Sequence, residues 1–318
     1  MSILVTGGAG FIGSHVLDRL VSKGRRCVCL DDFNDFYSPA IKRTNIAGSL
    51  ASGLVSVVEG DIRDLALCRR LFHEHKVERV IHLAARAGVR PSLEQPLLYE
   101  EVNCRGTLAL LECAREFGVK IFVFGSTSSI YGVTSRVPFS EDDPVDRPIS
   151  PYAASKRACE LFCHTYHYLY GIPVVSLRFF TVYGPRQRPD LAITLFTRLM
   201  EQGRPIPIFG DGTSRRDYTY VGDIVDGVMA ALDSELKFEI INLGSGRPIS
   251  LNDMVRSLEK VLGKKAGIDK RPEQPGDVPL TYADISKARR LLGYEPRVPF
   301  EEGLRSFVEW WRNQDSPE

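Results

Sequence analysis

The sequence has almost no net charge, because its 318 residues include 41 Lys and Arg against 40 Asp and Glu. A face that binds nucleic acid usually shows as a basic excess, so this balance predicts no nucleic-acid partner. No apolar run approaches the roughly 18 residues that a membrane span needs, and the start, MSILVTGGAG, lacks the basic and apolar regions of a signal peptide. We therefore expect a cytoplasmic protein that does not bind membranes.

Cysteine and histidine are scarce and lie in no pattern typical of a metal site or a disulfide framework. The seven cysteines form no CxxC pair and most fall in apolar segments, which predicts reduced, buried thiols. The close histidine pairs, His73 with His75 and His164 with His167, have no trio of Cys or carboxylate ligands beside them. Because zinc sites need such ligand sets, we predict no metal ion.

The first half of the chain alternates apolar, β-branched runs with helical periodicity, which is typical of a parallel sheet with crossover helices. The predicted strands are 3–6, 26–30, 55–59, 79–82, 120–125 and 174–179. The predicted helices are 12–23, 64–75, 96–117 and 151–170. The pattern predicts an α/β fold built on a doubly wound parallel sheet.

A glycine-rich turn, TGGAGFIG, follows the first predicted strand and opens the first predicted helix. A tight turn, a close approach of backbone to pyrophosphate and close helix–strand packing each require a residue without a β-carbon. The helix N-terminus also offers free N–H groups to phosphates. The context predicts a dinucleotide site, with a tight βα turn as the purely structural alternative. Its predicted members here are Gly7, Gly10, Phe11, Ile12 and Gly13.

Acidic residues follow the second and third predicted strands. Asp31 and Asp32 end the run CVCLDD. A carboxylate at this position can accept hydrogen bonds from ribose hydroxyls and would repel a 2′-phosphate, so the sequence predicts NAD rather than NADP, with Asp31 as the preferred residue. Asp61 is predicted to contact the adenine ring, unless it caps the helix that follows. Ile62, Leu83 and Ala84 complete the predicted cofactor site.

Beyond residue 180, Pro and Gly cluster in YGPRQRPD, GRPIPIFGDG, GSGRPIS and RPEQPGD. This composition predicts a smaller, loop-rich α/β lobe folded over the end of the sheet. Segments 223–232 and 239–243 look like a helix and a strand that return to the first lobe. We therefore assign residues 1–179, with returning segments near 221–245, to a Rossmann-like NAD-binding domain, and residues 180–318 mainly to a substrate-binding domain.

One predicted helix start carries candidate catalytic residues, with Ser150 as its N-cap and Pro151 in its first turn. Tyr152 and Lys156 are four residues apart and so project from one helix face. An ammonium beside a phenol favours the phenolate and moves the tyrosine pKa from about 10 toward neutrality. Such a group can remove an alcohol proton while hydride leaves the same carbon. An isolated YxxxK pair could instead be a surface helix turn, but the glycine motif ahead of it argues against that.

A hydroxyl-rich turn, GSTSSIYG, follows the fifth predicted strand. The carboxyl ends of parallel strands line the ligand crevice, so these hydroxyls should face the site. Thr127 is predicted to bond the reacting oxygen and to share its proton with Tyr152. A polar turn without a catalytic role is the alternative.

Together these motifs resemble the extended short-chain dehydrogenase/reductase family, and within it the nucleotide-sugar 4-epimerases. TGGAGFIGSH, HLAA, NCRGT, STSSIYG, YAASK, RRDYTYVGD and NLGSGRPIS follow the family order and cover nearly the whole chain. The subgroup that fits best is the UDP-glucuronate 4-epimerases, on LDDFNDFYSPAIKR, RAGVRPSLEQP, RFFTVYGPRQRPD and QPGDVPLTYADISKA.

The resemblance implies a mechanism in which Tyr152 takes the proton of the sugar 4-hydroxyl while hydride passes to bound NAD. The transient 4-ketose then turns over in the site and is reduced on its other face. The family also implies a UDP-hexuronic acid substrate held by a smaller lobe. Its members pair as homodimers through a four-helix bundle, here helices 96–117 and 151–170.

The resemblance further implies substrate contacts. Ser128 and Ser129 stand where sugar 4,6-dehydratases carry an Asp–Glu pair, so dehydration is not expected, and Ser129 stands where UDP-xylose synthases usually have Glu. As neutral donors these serines would hold a sugar carboxylate. The other implied contacts are Thr181 and Arg188 at the sugar, Arg216 and Arg271 at the diphosphate, Asp277 at the uridine ribose, Arg90 from the loop after strand four, and Asn103 as a supporting hydrogen bond.

Other functions stay open on the sequence alone. A UDP-glucose/galactose 4-epimerase and a UDP-glucuronate decarboxylase share the motifs. A net oxidoreductase would exchange free NADH, and a non-catalytic NAD-sensing regulator would not need the trio Tyr152, Lys156 and Thr127.

Overall fold

The computed structural model describes residues 2–133, 136–273 and 278–314. Its strands are β1 (Ser2–Thr6), β2 (Cys27–Asp31), β3 (Val55–Glu59), β4 (Val77–His82), β5 (Ile121–Thr127), β6 (Val174–Phe179), β7 (Thr181–Tyr183), β8 (Ile206–Phe209), β9 (Arg215–Tyr220), β10 (Phe238–Leu243), β11 (Pro248–Ser250) and β12 (Ile268–Arg271). Its α-helices are α1 (Phe11–Ser22), α2 (Pro39–Ala51), α3 (Leu65–His75), α4 (Val89–Glu94), α5 (Pro96–Tyr99), α6 (Gly106–Glu116), α7 (Pro151–Tyr170), α8 (Ala192–Glu201), α9 (Val221–Asp233), α10 (Leu251–Leu262), α11 (Ser286–Leu292) and α12 (Phe300–Arg312).

The main sheet has seven parallel strands in the order β10-β6-β5-β4-β1-β2-β3. Its first six strands in the chain lie where the sequence predicts them, and β10 is the predicted returning strand. From β1 the chain runs outward to β2 and β3, then crosses back to β4 on the other side of β1. Open α/β sheets bind ligands beyond the carboxyl ends of their strands at such a reversal, which here lies between β1 and β4.

Successive residues of the central strands face two different cores, as expected for a sheet covered on both faces. Ile3 and Val5 pack with α1 and α9 in one cluster. Leu4, between them, belongs to a second cluster formed with α3, α6 and α7. The predicted α/β fold with a doubly wound parallel sheet is therefore confirmed.

The second lobe has small sheets and a core of its own. Its strands pair as β11-β9-β7 and as β12-β8, and α8, α10 and α12 enclose a third apolar cluster that includes Phe196, Leu258 and Phe307. Helix α9 packs on α1 and strand β10 pairs with β6, so the chain returns to the first lobe as predicted. The division of the chain into domains at residue 180 stays a prediction.

The predicted helix 96–117 is divided in the structure. A π-helical turn, Glu100–Arg105, separates α5 from α6. Such turns are often found at functional sites, and this one directs Asn103 and Cys104 toward α7. Helix α2 has no counterpart among the predicted helices, because its buried positions include the polar residues Lys42, Asn45 and Ser49 and so form no apolar stripe.

The N-cap of α7 agrees with the sequence prediction, and the N-cap of α3 decides whether Asp61 caps the helix that follows it. The Ser150 hydroxyl accepts a hydrogen bond of 3.1 Å from the Ala153 N–H, and Pro151 opens α7, as predicted. Helix α3 is capped by Asp64, which accepts from the Leu67 N–H at 2.9 Å. Asp61 is therefore not the cap of this helix.

Other features of the described residues bear on function class. In the three described ranges no helix has the length and apolarity to span a bilayer. The same residues contain no group of three or more His, Cys, Asp or Glu that could hold a metal ion. All seven cysteines are buried free thiols, as predicted.

Candidate active site

A cleft with an empty volume of about 1180 Å³ opens beyond the carboxyl ends of β1, β4 and β5. This is the position that the strand order predicts for a ligand. The residues predicted to bind the cofactor all line it: Gly7, Gly10, Phe11, Ile12, Gly13, Asp31, Asp32, Asp61, Ile62, Leu83 and Ala84. Tyr152, Lys156 and Arg188 line the same cleft. The structure thus brings the glycine turn and the YxxxK helix to one site.

The glycine turn is packed so closely that side chains would not fit. A β-carbon at Gly7, whose φ is +67°, would lie 2.7 Å from the Ala84 nitrogen. One at Gly13 would lie 2.1 Å from the Gly7 carbonyl oxygen. Helix α1 begins directly after this turn, and its N-cap residue, Gly10, offers no side-chain cap. The first N–H groups of α1 therefore suit the phosphates of a dinucleotide, and the cradle fits such a ligand.

Asp31 holds the glycine turn in place as well as lining the cleft. Its carboxylate accepts hydrogen bonds from the Ala9 N–H at 3.1 Å and from the Phe33 N–H at 3.0 Å. Burial raises the pKa of Asp31, while the bond from Phe33 and the charge of Lys42 oppose that rise. Asp32 is exposed and accepts instead from the Asn34 N–H at 3.1 Å. Of the two, Asp31 is the better placed to accept ribose hydroxyls.

Lys42 is a residue of the cleft that sequence reasoning missed. Its buried ammonium donates to the Asn34 carbonyl at 2.8 Å and lies 5.0 Å from the centre of the Tyr37 ring. Burial lowers the pKa of Lys42, and the neighbouring carboxylate of Asp31 opposes this. The signal in the sequence is the run NDFYSPAIK after the second strand, which supports the resemblance to the subgroup but does not by itself indicate a binding residue.

Asp61 is paired within its own turn. Its carboxylate accepts from the Arg63 backbone N–H at 2.8 Å and from the Arg63 guanidinium at 2.6 Å. Burial tends to raise the pKa of Asp61, but the bonds from Arg63 lower it overall. The carboxylate is thus kept ionised at the rim of the cleft, where an adenine amino group could reach it.

Lys156 is anchored to the sheet rather than to the phenol. Its ammonium donates to the Gly125 carbonyl at 2.7 Å and lies 4.7 Å from the centre of the Phe124 ring. Complete burial lowers the pKa of Lys156, and the charge of Glu160 is among the groups that oppose this. Lys156 therefore ties α7 to the end of β5.

Thr127 and Arg188 both act on the Tyr152 phenol. Burial raises the pKa of the Tyr152 phenol, and a hydrogen bond with Thr127 and the charge of Arg188 both act to lower it. The effect of Lys156 on this pKa, which the sequence predicts, stays a prediction; its ammonium donates one hydrogen bond to the Gly125 carbonyl. The ring of Tyr152 also packs edge-on against Tyr99, with 6.1 Å between the ring centres.

Thr127 and the serines after it form a compact hydroxyl turn. Thr127 Oγ1 accepts from the Ser129 N–H at 3.2 Å and lies 3.2 Å from Ser129 Oγ, which can also donate to it. Ser128 begins the 3₁₀ turn Ser128–Tyr131 and, like Ser129, is partly exposed. Of these hydroxyls, that of Thr127 acts on the phenol, while Ser128 and Ser129 are outside the set of residues that lines the cleft.

Arg188 is the predicted substrate residue that lines the cleft, and its charge is already paired. Its guanidinium donates to both oxygens of Asp190, at 2.9 and 2.7 Å, and lies 5.2 Å from the centre of the Phe36 ring. Burial opposes the charge of Arg188, but the bonds to Asp190 raise its pKa overall. The predicted role of Arg188 at the sugar stays a prediction, and its Nη1 donors are not used by Asp190.

The remaining predicted substrate residues lie outside the set that lines this cleft. Arg90 and Arg271 converge on the Phe209 ring, with their guanidinium carbons 4.9 and 5.9 Å from its centre. Arg216 donates to the Arg215 carbonyl at 3.0 Å. Thr181 begins β7 and pairs with Tyr218. Asp277 lies outside the described residues.

Asn103 connects the π-helical turn to the catalytic helix. Its side-chain nitrogen donates to Ser155 Oγ at 2.9 Å and to the Arg86 carbonyl at 3.1 Å. Its side-chain oxygen accepts from the Arg86 N–H at 2.8 Å. The supporting hydrogen bond that the sequence predicts for Asn103 therefore goes to α7, three residues from Tyr152.

Comparisons with known proteins agree with this architecture. A family model described as GDP-mannose 4,6 dehydratase matches residues 4–307. A UDP-glucuronate 4-epimerase of Thermodesulfobacterium geofontis is 46% identical over 308 residues, which are 96% of this chain and 95% of that protein.

Two solved structures are similar along the whole chain. The UDP-glucuronic acid 4-epimerase of Bacillus cereus, in complex with UDP-glucuronic acid and NAD, is 39% identical, with a TM-score of 0.92, over 98% of this chain and 99% of that one. The UDP-glucose 4-epimerase of Thermotoga maritima, with UDP-glucose, is 37% identical, with a TM-score of 0.91 and the same coverage. The chain belongs to the extended short-chain dehydrogenase/reductase family, in its group of nucleotide-sugar 4-epimerases.

Proposed function

We propose that this protein is a NAD-dependent UDP-sugar 4-epimerase that interconverts UDP-glucuronate and UDP-galacturonate through a 4-keto intermediate. The observation that carries the proposal is the position of the Tyr152 phenol. It lines the same cleft as the glycine turn and interacts with the Thr127 hydroxyl. The names and bound ligands of the relatives support the same reaction and the same sugar.

The residues of the cleft fit NAD. The glycine turn and the N-terminus of α1 would hold the pyrophosphate, Asp31 the adenosine ribose, and Asp61 with Ile62 the adenine. Lys156 and the end of β5 would flank the nicotinamide end. When bound, NAD supplies a hydride acceptor that later returns the hydride, so the reaction has no net redox change.

Within this reaction Tyr152 Oη takes the proton of the sugar 4-hydroxyl and returns it after the ketose has turned over. Thr127 Oγ1 bonds the same oxygen and keeps the phenol oriented. The charge of Arg188 favours the phenolate and so offsets part of the effect of burial. Lys156, fixed on Gly125, and Asn103, fixed on Ser155, hold the helix that carries Tyr152.

Ser128, Ser129 and Thr181 would bind the sugar carboxylate by neutral hydrogen bonds. A β-keto acid loses CO₂ readily when its carboxylate is desolvated. Hydrogen-bond donors that take the place of water around the carboxylate would therefore suppress the loss of CO₂ from the 4-keto intermediate. The dehydratases of the family use an acidic pair where this chain has Ser128 and Ser129, so we propose no dehydration despite the name of the matching family model. Arg216, Arg271 and Arg90 would contact the diphosphate side of the substrate, and Asp277 the uridine ribose.

Product analysis tests the proposal. Purified protein is incubated in parallel with UDP-glucuronate and UDP-glucose, and products are separated by chromatography with mass detection. We expect UDP-galacturonate with its carboxyl group retained and no growth of NADH absorbance. UDP-galactose as the main product would indicate the glucose/galactose alternative, a UDP-pentose with release of CO₂ would indicate a decarboxylase, and no product from either sugar would favour a regulator.

We also propose a homodimer built on α7 and the α5–α6 region. Large apolar side chains there are exposed, among them Leu97 at 77% and Tyr168 at 79%, with Leu161 and Leu169 also exposed. Contiguous exposed apolar surface often marks an interface. Light scattering should give twice the chain mass, and Leu161→Glu should reduce it to one chain mass.

Because the seven thiols are free, we propose a reducing compartment, the cytoplasm, as the location.

A further inference from the structure

An ion pair lies buried behind the active site without contacting the cleft. Arg178 of β6 and Glu160 of α7 have side chains that are 1% and 0% exposed. Arg178 donates to Glu160 twice, from Nε to Oε1 and from Nη2 to Oε2, both at 3.0 Å. Apolar residues of similar volume are often as stabilising as such a pair, because two charges must leave water. Stability alone therefore does not explain this pair on a central strand.

The pair belongs to a row of polar residues across three strands. Ser126, Arg178 and Asn242 are neighbours in register on β5, β6 and β10. Ser126 Oγ donates to Glu160 Oε1 at 2.6 Å, and Arg178 Nη1 donates to the Tyr131 hydroxyl at 2.9 Å. The Tyr131 hydroxyl in turn donates to Asn242 Oδ1 at 2.7 Å. The network therefore links α7, the end of β5 and the hydroxyl turn to the sheet.

Each contact of this network lies next to a group that the reaction uses. Ser126 directly precedes Thr127, and Tyr131 closes the 3₁₀ turn that begins at Ser128. Glu160 is one helical turn beyond Lys156 on α7. Helix α7 thus holds the end of β5 at two points: Lys156 bonds the Gly125 carbonyl, and Glu160 bonds the Ser126 hydroxyl.

We propose that the Glu160–Arg178 pair, through Ser126 and Tyr131, is a positioning device that sets the Tyr152 phenol relative to the Thr127 hydroxyl. Glu160, Arg178 and Tyr131 lie outside the set of residues that lines the cleft and act through the groups they hold, whereas Ser126 lines the cleft at the end of β5. The proposal rests on the proposed function for the roles of Tyr152 and Thr127.

Two variants loosen the network without leaving a buried charge unpaired. Ser126→Ala removes one donor to Glu160, which keeps its bonds from Arg178 and Arg157. Its matched control is Ser176→Ala, at a fully buried serine of β6 outside the network. Tyr131→Phe removes the link from Arg178 to Asn242. Because Tyr131 does not line the cleft and Ser126 does, this second variant separates positioning from a direct effect on the cleft. Its control is Tyr183→Phe, whose buried hydroxyl bonds the Phe300 carbonyl in the second lobe.

The first readout is turnover of UDP-glucuronate. Because small misplacements of reacting groups are costly, we expect kcat to fall about tenfold in Ser126→Ala and in Tyr131→Phe, with KM within about twofold of wild type. The controls should keep the wild-type kcat at a similar melting temperature. If each variant and its control have equal kcat, the proposal is overturned.

The second readout needs no substrate. With tyrosines labelled at the ring carbon bearing the hydroxyl, the NMR signal of Tyr152 is assigned by its loss in Tyr152→Phe and followed against pH. We expect its titration to move to higher pH in Ser126→Ala and Tyr131→Phe, because the hydrogen bond from Thr127 weakens, and to stay in place in both controls. Unmoved titrations in both variants overturn the proposal. If the wild-type protein itself does not turn over UDP-glucuronate, the proposed function fails, and this titration still decides the positioning role.

Discussion

Two glycines inside helices should respond in opposite directions to the same added methyl group. Gly13 lies in α1 and Gly48 in α2. A β-carbon at Gly13 would lie 2.1 Å from the Gly7 carbonyl oxygen and 2.7 Å from the Gly8 α-carbon, which are backbone atoms that cannot rotate away. A β-carbon at Gly48 would meet no atom within 4 Å. The pair therefore separates helix propensity from packing in the glycine turn.

The magnitudes follow from these distances. Alanine is favoured over glycine in a helix interior by about 1 kcal/mol, so Gly48→Ala should stabilise the protein by roughly that amount. In a chain of this size that corresponds to a melting temperature higher by about 2 °C. Gly13→Ala gains the same propensity, but the helix must move about 1 Å away from the turn, and overpacking of this kind costs about 1–3 kcal/mol or more. We expect a net loss of up to about 2 kcal/mol, with NAD binding weakened at least about tenfold.

Both variants are measured by urea unfolding and, after removal of any copurified nucleotide, by calorimetric titration with NAD. Gly48→Ala should unfold at higher urea and bind NAD like the wild type. If Gly13→Ala were as stable as Gly48→Ala and bound NAD with unchanged affinity, the close packing of the glycine turn against α1 would be refuted.

Three further perturbations test the chemistry. Tyr152→Phe removes the group that accepts the 4-hydroxyl proton, so product formation should slow by roughly 10²–10⁴-fold while NAD stays bound; turnover close to wild type would rule out its role. Arg188→Met removes a charge that lowers the pKa of Tyr152, so the rising limb of kcat/KM should move to higher pH. Arg186→Met, in the same loop but paired with Asp18, should leave that limb unmoved, and identical profiles for the two variants would contradict the assignment. Burial lowers the pKa of His82 well below 6.5 in the folded protein. Below pH 6.5 the unfolded chain therefore binds a proton that the folded protein does not. The free energy of unfolding should then fall by up to about 1.4 kcal/mol for each pH unit by which the pH is lowered. When the free energy of unfolding is measured in urea at several pH values between about 7 and 5, it should depend less steeply on pH in His82→Gln than in the wild type. Equal dependence in the two proteins would disprove the lowered pKa of His82.

The sheet and the glycine turn that forms the cofactor cradle were predictable because each depends on residues that are close together in the sequence. Parallel strands buried on both faces read as continuous apolar runs, and the glycine turn follows the first of them. The carboxyl ends of these strands meet at one edge, so the sequence predicts that Gly7, Asp31 and Tyr152 lie in one cleft. The roles of these residues in binding and catalysis stay predictions.

What the sequence could not supply depends on which side chains meet across the fold. The i, i+4 spacing places Lys156 and Tyr152 on one helix face, but it does not indicate that the ammonium bonds the Gly125 carbonyl or that the charge of Arg188 also lowers the pKa of the phenol. Lys42 was missed for a similar reason, since α2 buries polar residues and so lacks an apolar stripe. No spacing rule pairs Arg178, inside an apolar strand, with Glu160 on a helix.

The late return of the chain to its first sheet has a consequence for synthesis. Strand β6 is an inner strand only because β10 (Phe238–Leu243) covers it, and β10 is made after β7, α8, β8 and β9 of the second lobe. A nascent chain that has emerged only as far as β9 therefore carries an open sheet edge, which is a template for pairing with another chain. A chain that ended between the two lobes would not be a smaller stable nucleotide-binding protein, because it would lack β10, the strand that pairs with the open edge of β6.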